Sequence, residues 1–252
     1  VEAGLLQSSK SSILENNVPA QFRHPKGLWY GLTARARIIF AHKKRVKPGE
    51  VTTYEDFAKP HMKGRVCTRS GKHVYNVSLL ASIIAVKGEA VAEAWAKGFK
   101  ANLARKPQGN DRSQVKAVYQ GECDVSLGNT YYMGKMATNE KKPEQKKWAA
   151  AVNVIFPNQG DRGAHVNISG AGVAKSAKNK ANAVKLIEFL SGDAAQKIYA
   201  EDNFEYPIKV GVKLHPIVAG WGKFKADETF LSKIAEHRVT ATRIMDKVRF
   251  DN

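Results

Sequence analysis

The sequence predicts an α/β protein in which helices cover a parallel sheet, because strand-like and helix-like segments alternate along most of the 252-residue chain. The strand-like segments are short and apolar, and apolar residues at three- and four-residue spacing mark the helices between them. Hydrophobic residues make up 43% of the chain, which suits an ordinary folded core. In a sheet of this kind the ligand crevice lies in the loops at the carboxyl ends of the strands.

The elements follow in order from their patterns and stop signals. The first half predicts a strand at residues 31–41, a short capped helix from Thr53, a strand at 64–70, two helices within 76–104, a helix at 113–119 and a strand at 123–127. The second half predicts a helix at 144–151, strands at 152–156 and 165–173, helices at 182–190 and 191–199, and a terminal helical stretch at 227–248. Pro60, Gly88 and Gly121 mark helix ends.

The chain opens at Val1 without an initiator Met or a targeting segment. Its first apolar residues, Val1, Leu5 and Leu6, read like the end of a helix. We therefore expect upstream residues to be missing from this sequence, which would leave one part of the fold short of strands.

The net charge of +18 is the strongest compositional signal. Such an excess can attract nucleic acid, anionic lipid or acidic surfaces. The basic residues are scattered without a run of five like charges, which favours a solvated face. A nucleic-acid-binding protein is the alternative from another class, but no recognition motif supports it, and we predict no nucleic-acid partner. No apolar run approaches the ~20 residues that cross a bilayer, so we also predict no membrane insertion.

The two cysteines, Cys67 and Cys123, lack the CxxC spacing of a zinc or thiol-redox site. In an oxidising compartment they could form one disulfide that closes a long loop. As free thiols they would be small buried hydrophobes. The sequence leaves both roles open.

Two adjacent tyrosines, Tyr131 and Tyr132, stand in a glycine-flanked segment directly after a predicted strand. In a loop or a first helical turn, both side chains can approach one point. A tyrosine, with an ordinary pKa of about 10, ionises at neutral pH only when a Lewis acid or a positive field favours the anion. Ferric iron is such an acid and prefers oxygen donors. From the residues alone, the pair fits either packing or metal ligation.

The sequence lacks the motifs that are typical of several large classes of enzymes. It contains no nucleophile elbow, P-loop or dinucleotide-binding glycine pattern, and the seven histidines form no HExxH arrangement. We therefore predict that the protein is not an enzyme.

Long stretches of the sequence carry a family resemblance. They include LTARAR, SGKHVYN and GNTYYMG, and they extend over residues 18–40, 64–85, 102–136, 156–190 and 195–207. Together they resemble the periplasmic ferric-iron-binding proteins of ABC transporters, a bacterial transferrin-like family. Because these stretches span nearly the whole chain, the resemblance is far more specific than a short motif.

The resemblance implies a two-lobed type II periplasmic-binding-protein fold whose first lobe is incomplete here. Lobe 1 would comprise residues 1–36 and 158–210, and lobe 2 would comprise residues 37–157 and 211–252 with C-terminal helices. The crossover strands near residues 33–40 and 152–157 would form the hinge.

The resemblance also implies a ligand set. Tyr131 and Tyr132 would bind Fe(III), together with Tyr75 in the segment SGKHVYN. Arg35 would face a synergistic anion, carbonate or bicarbonate, because a guanidinium fork suits an oxyanion. Asn76 and Asn129 could donate side-chain amides to that anion.

The implied function is that of a monomeric periplasmic receptor that captures Fe(III) and delivers it to the inner-membrane permease of an ABC transporter. Family members draw further ligands from the first lobe, at positions that this sequence lacks. The alternative within the same fold is a receptor for a small anion, held by Arg35, helix amides and neutral tyrosines.

Overall fold

The computed structural model describes residues 3–252, and its internal contacts divide the chain into two compact units. Unit 1 consists of Val1–Arg35 and Asn167–Gly222, and unit 2 consists of Ala36–Val166 and Lys223–Asn252. Within the described residues, no helix is both long and apolar enough to cross a bilayer.

Helices and strands alternate as the sequence predicts. The helices are α1 (Ser12–Asn17), α2 (Val74–Lys87), α3 (Glu89–Ala101), α4 (Asp111–Gln120), α5 (Thr130–Ala137), α6 (Glu144–Ala150), α7 (Lys180–Ser191), α8 (Asp193–Glu201), α9 (Pro216–Ala219), α10 (Leu231–Glu236) and α11 (Arg238–Lys247). The strands are β1 (Leu6–Gln7), β2 (Tyr30–His42), β3 (Val66–Cys67), β4 (Val125–Asn129), β5 (Val152–Ile155), β6 (Val166–Ala171), β7 (Val173–Ala174) and β8 (Tyr206–Pro207). The terminal helical stretch is divided into α10 and α11 at His237.

The sheet of unit 2 has the strand order β3-β4-β2-β5. Strands β3 and β4 are parallel and are joined by a crossover that contains α2, α3 and α4. Strand β2 runs antiparallel to both β4 and β5, with Ile39 opposite Leu127 and Ile155. The fully parallel sheet predicted from the sequence is therefore wrong at β2. The crossover between β3 and β4 makes these two strands parallel. Strand β2 comes before this crossover, so its direction is not constrained by it.

The core of unit 2 contains a cluster of aromatic side chains beside α3. Phe99 contacts Phe57 and Phe250, and the ring centroids are 5.2 Å apart in each pair. Trp95, one turn earlier, donates from Nε1 to a backbone carbonyl at 2.7 Å. The predicted break between α2 and α3 is confirmed at Gly88, whose φ of +83° is a conformation that favours glycine.

In its described residues, unit 1 is built from short strands and the four helices α1, α7, α8 and α9. Strand β1 pairs antiparallel with β7, and β6 and β8 pair with β2. Gln196 on α8 links β2 to the residue that follows β8, because it donates to Leu32 O at 2.8 Å and accepts from Ile208 N at 2.9 Å. The expected helix end is wrong at Leu6, which is extended because it pairs with β7. Val1, the other anchor of that expectation, lies outside the described residues.

The unit boundaries differ from the predicted lobes, which were 1–36 with 158–210 and 37–157 with 211–252. Residues 158–166 lie in unit 2, where His165 O accepts a hydrogen bond from a β2 backbone N at 2.9 Å. Residues 211–222 lie in unit 1, where the His215 ring contacts Phe204 at a centroid distance of 4.5 Å.

The chain passes between the units three times, twice within a strand and once in the loop at Gly222–Lys223. The passage in β2 lies at Arg35–Ala36, inside the predicted hinge segment 33–40. The second passage lies in β6 at Val166–Asn167. The other predicted hinge segment, residues 152–157, contains no passage because β5 pairs along β2 within unit 2.

Cys67 and Cys123 form a disulfide, with their Cα atoms 5.9 Å apart. The bond joins β3 to the segment that leads into β4, and both cysteines are buried. Of the two roles that the sequence left open, the disulfide is the one observed.

Candidate functional site

Three tyrosines of unit 2 meet at the first turns of α2 and α5. The hydroxyl oxygens of Tyr75 and Tyr131 are 3.0 Å apart. The rings of Tyr131 and Tyr132 stack with their centroids 4.4 Å apart. All three side chains are half-buried. The structure thus brings together the three residues that the resemblance implied as iron ligands.

Local structure explains this placement. Tyr131 and Tyr132 occupy the first turn of α5, directly after β4. Tyr75 occupies the first turn of α2, and its backbone N donates to Nδ1 of the N-cap residue His73 at 3.2 Å. Near the end of β4, a Cβ on Gly128 would lie 2.1 Å from an aromatic ring of β2. Glycine is therefore required for β4 to approach β2 closely just before the tyrosines.

A buried carboxylate, Asp111, links these helix starts. It forms ion pairs with Arg37 at 2.9 Å and with Arg69 at 3.0 Å. The same side chain accepts a hydrogen bond from the backbone N of Asn129, the residue ahead of α5, at 2.9 Å. Arg37 in turn donates to Asn76 Oδ1 at 2.8 Å and to Asn129 Oδ1 at 3.2 Å. One network therefore positions the first turns of α2, α4 and α5.

Cations surround the phenol rings. The guanidinium carbons of Arg69 and Arg37 lie 5.0 and 5.7 Å from the centroid of the Tyr75 ring. The guanidinium carbon of Arg112 lies 4.9 Å from the centroid of the Tyr132 ring. Positive charge at this range favours an anion, including a phenolate, at the site.

Burial works against ionisation of the central phenol. It is the main cause that raises the pKa of Tyr131 above its ordinary value, and hydrogen bonds with Tyr132 and Tyr75 raise this pKa further. Without a metal, Tyr131 therefore keeps its proton at neutral pH. A highly charged cation would favour the phenolate and release that proton. In the described part of the chain, no cluster of three or more His, Cys, Asp or Glu side chains could hold a metal.

The residues predicted to bind an anion lie in different surroundings. Arg35 belongs to unit 1 and donates to Ser169 Oγ at 2.7 Å. Asn76 is 2% exposed, and its Nδ2 donates to one hydroxyl and two backbone carbonyls. These donors are engaged within the protein, and the Asn76 Oδ1 atom accepts from Arg37. For Arg35, Asn76 and Asn129, the anion role stays a prediction.

Sequence analysis missed Arg37, Arg69 and Asp111. A usable signal existed for Arg37, because an arginine inside an otherwise apolar strand needs a buried carboxylate. Asp111 gives a weaker signal, since an acidic residue at the start of a helix is already explained by the helix dipole. Its partners Arg37 and Arg69 lie 74 and 42 residues away, beyond any local pattern.

Comparison with known proteins finds matches along nearly the whole chain. A family model described as "Bacterial extracellular solute-binding protein" matches residues 1–223. Iron uptake protein A1 of Synechocystis sp. is 50% identical over 246 residues, which cover 98% of this chain and 68% of that protein.

Solved structures match equally well. Apo ferric ion-binding protein A of Pasteurella haemolytica gives a TM-score of 0.95 at 52% identity, over 100% of this chain and 78% of that one. The Trichodesmium protein in complex with iron and citrate gives 0.94 at 45% identity, over 99% of this chain and 78% of that one. These matches confirm the predicted two-lobed type II periplasmic-binding-protein fold. The chain belongs to the family of bacterial extracellular solute-binding proteins.

Proposed function

We propose that this protein is a periplasmic receptor that captures Fe(III) through the phenolates of Tyr75, Tyr131 and Tyr132. The observation that carries the proposal is the convergence of these three side chains, with Tyr75 and Tyr131 oxygens 3.0 Å apart and Tyr132 stacked on Tyr131. A small trivalent cation prefers hard oxygen donors, and phenolates are among the hardest that side chains supply. Relatives named for iron uptake and ferric iron binding support this cargo.

A synergistic anion completes the proposed site. Three phenolates neutralise the charge of one ferric ion. Asp111 offsets only one of the guanidinium charges of Arg37, Arg69 and Arg112, so positive charge remains beside the phenol rings. Carbonate or bicarbonate would offset that charge and fill coordination positions that three tyrosines leave open. Arg35 and Asn129 are the candidates to hold it. The citrate bound with iron in the Trichodesmium relative shows that an organic anion accompanies the metal in that protein.

The proposed receptor delivers its cargo to an inner-membrane permease of an ABC transporter. It acts as a monomer in the periplasm, without nucleic-acid binding, membrane insertion or enzymatic activity. Family membership supports the transport role, since solute-binding proteins of this family are extracellular. The disulfide between Cys67 and Cys123 suits an oxidising compartment such as the periplasm.

The visible spectrum tests the metal site. Fe(III) supplied as a weak chelate with bicarbonate should produce a broad visible band, because phenolate-to-iron charge transfer absorbs there. The Tyr131→Phe, Tyr132→Phe double variant should lose this band. Tyr119→Phe is the matched control, because that tyrosine lies in the same unit with 42% of its surface exposed. A band that survives in the double variant, or a folded wild type without a band, contradicts the proposal.

Proton release provides a second prediction. The pKa of Tyr131 is raised in the metal-free protein, so iron binding must remove its proton, and affinity for iron should fall as the pH falls. We expect Tyr75→Phe to release about one proton fewer per iron than the wild type, measured by calorimetry in buffers of different ionisation enthalpy. Tyr119→Phe should release as many protons as the wild type. Equal proton counts for Tyr75→Phe and the wild type would exclude Tyr75 as an iron ligand.

A further inference from the structure

A cavity in unit 2 is lined by none of the three tyrosines and shares only Arg112 with their surroundings. It has a volume of about 460 Å³ and is lined by residues of α4, α6 and the segment between α5 and α6. This volume falls within the range of about 300–1,000 Å³ that is usual for small-molecule sites. The cavity is therefore large enough for a small organic ligand.

The cavity is strongly cationic. Arg112 and Lys116 line it from α4, and Lys142 lines it from the segment ahead of α6. Within residues 3–252, none of these three side chains forms an ion pair with a carboxylate, and no acidic side chain lines the cavity. In the network around Asp111, by contrast, every guanidinium faces a carboxylate. The three cations of the cavity are thus available to an anionic ligand.

Two of the three cations contact aromatic rings, while Lys116 and Lys142 are exposed. Arg112 stacks over the Tyr132 ring at 4.9 Å, and Lys116 Nζ lies 5.6 Å from the centroid of the Trp148 ring. Asn139 Nδ2 donates to Gln145 Oε1 at 3.0 Å, and this hydrogen bond orients two amide side chains of the lining. The lining therefore combines cations, amides and an aromatic wall.

We propose that this cavity binds a small organic anion that carries two or three carboxylates. Arg112 and Lys116 are four residues apart on one helix, which separates their Cβ atoms by about 5–6 Å and suits two carboxylates on one carbon skeleton. The guanidinium fork of Arg112 matches carboxylate geometry, and the indole of Trp148 offers a surface for the carbon chain. A single inorganic oxyanion would use neither the spacing nor the indole. The proposal does not depend on iron binding.

Calorimetric titration of the metal-free protein with tricarballylate, a tricarboxylate without the hydroxyl group of citrate, tests this site. We expect saturable binding to the wild type and an affinity at least about tenfold lower in the Lys116→Gln, Lys142→Gln double variant. The matched control is Lys141→Gln, Lys147→Gln, which removes the same charge from two nearby exposed lysines outside the cavity. Equal affinities in the two double variants, or no binding to the wild type, would overturn the proposal.

Two further measurements separate this site from other anion sites. The Tyr131→Phe, Tyr132→Phe variant should bind tricarballylate as the wild type does, whereas loss of binding would move the anion to the tyrosines and overturn the proposal. Inorganic phosphate should bind more weakly than tricarballylate, and equal affinity would show that the cavity recognises charge alone. A ligand-induced change in tryptophan fluorescence should disappear in Trp148→Phe. If it persists there, the ligand lies elsewhere.

Discussion

Replacing Asp111 by asparagine is expected to lower the free energy of unfolding by about 3–5 kcal/mol, because the change leaves two buried guanidinium groups without their carboxylate. The side chains of Asp111 and Arg37 are 0% and 2% exposed, and Arg69 is 10% exposed, so water cannot replace the lost partner. Asparagine preserves the shape of the side chain, and the effect therefore reports the charge. Urea unfolding of the metal-free protein measures it.

The control for this prediction is Glu140→Gln, which removes a carboxylate from an exposed pair with Lys146. Exposed ion pairs contribute little, so this variant should unfold at the wild-type urea concentration. A second variant, Arg37→Met with Asp111→Leu, removes both members of the buried pair and should be more stable than Asp111→Asn, since fewer buried charges remain unpaired. If Asp111→Asn is as stable as Glu140→Gln, the buried ion pairs of Asp111 do not contribute the expected free energy of unfolding.

Reduction of the disulfide between Cys67 and Cys123 should also have a large effect. The bond closes a loop of 56 residues, and the loop-closure entropy removed from the unfolded chain corresponds to about 4 kcal/mol. The Cys67→Ala, Cys123→Ala variant should therefore unfold at a lower urea concentration than the oxidised wild type. A reductant should destabilise the wild type but leave the alanine variant unchanged. Coincident unfolding of oxidised and reduced wild type would contradict this prediction.

The tyrosine site could be anticipated from the sequence because its signals are local. Tyr131 and Tyr132 are adjacent and follow a strand, and Tyr75 lies in the first turn of a helix that follows a loop. The family resemblance supplied their common role. The structure adds the distances between the side chains, which no local pattern contains.

The supporting network could not be predicted in the same way, because its contacts connect distant positions. Arg37, Asp111 and Asn129 come from three separate elements, and alternation within LTARAR does not show which arginine points into the protein. Arg35 and Arg37 are two residues apart, yet they belong to different units. Resemblance selected Arg35, whereas burial identifies Arg37 as the arginine at the centre of the network in unit 2.

Strand direction was the other feature beyond the reach of sequence patterns. Alternating helices and strands predicted a parallel sheet, and β3 with β4 follows that rule. Strand β2 departs from it, because apolar periodicity indicates burial but carries no information about direction.

The network around Asp111 also limits which residues of the site can be substituted independently, in evolution or in protein design. Each tyrosine lies in a first helical turn and can be exchanged singly while the three helix starts keep their positions. Asp111, Arg37 and Asn129 share their hydrogen bonds, so a change in one requires compensation by the others. We therefore expect a change of cargo to involve substitutions of the side chains in the first helical turns. Asp111, Arg37 and Asn129 should stay the same together.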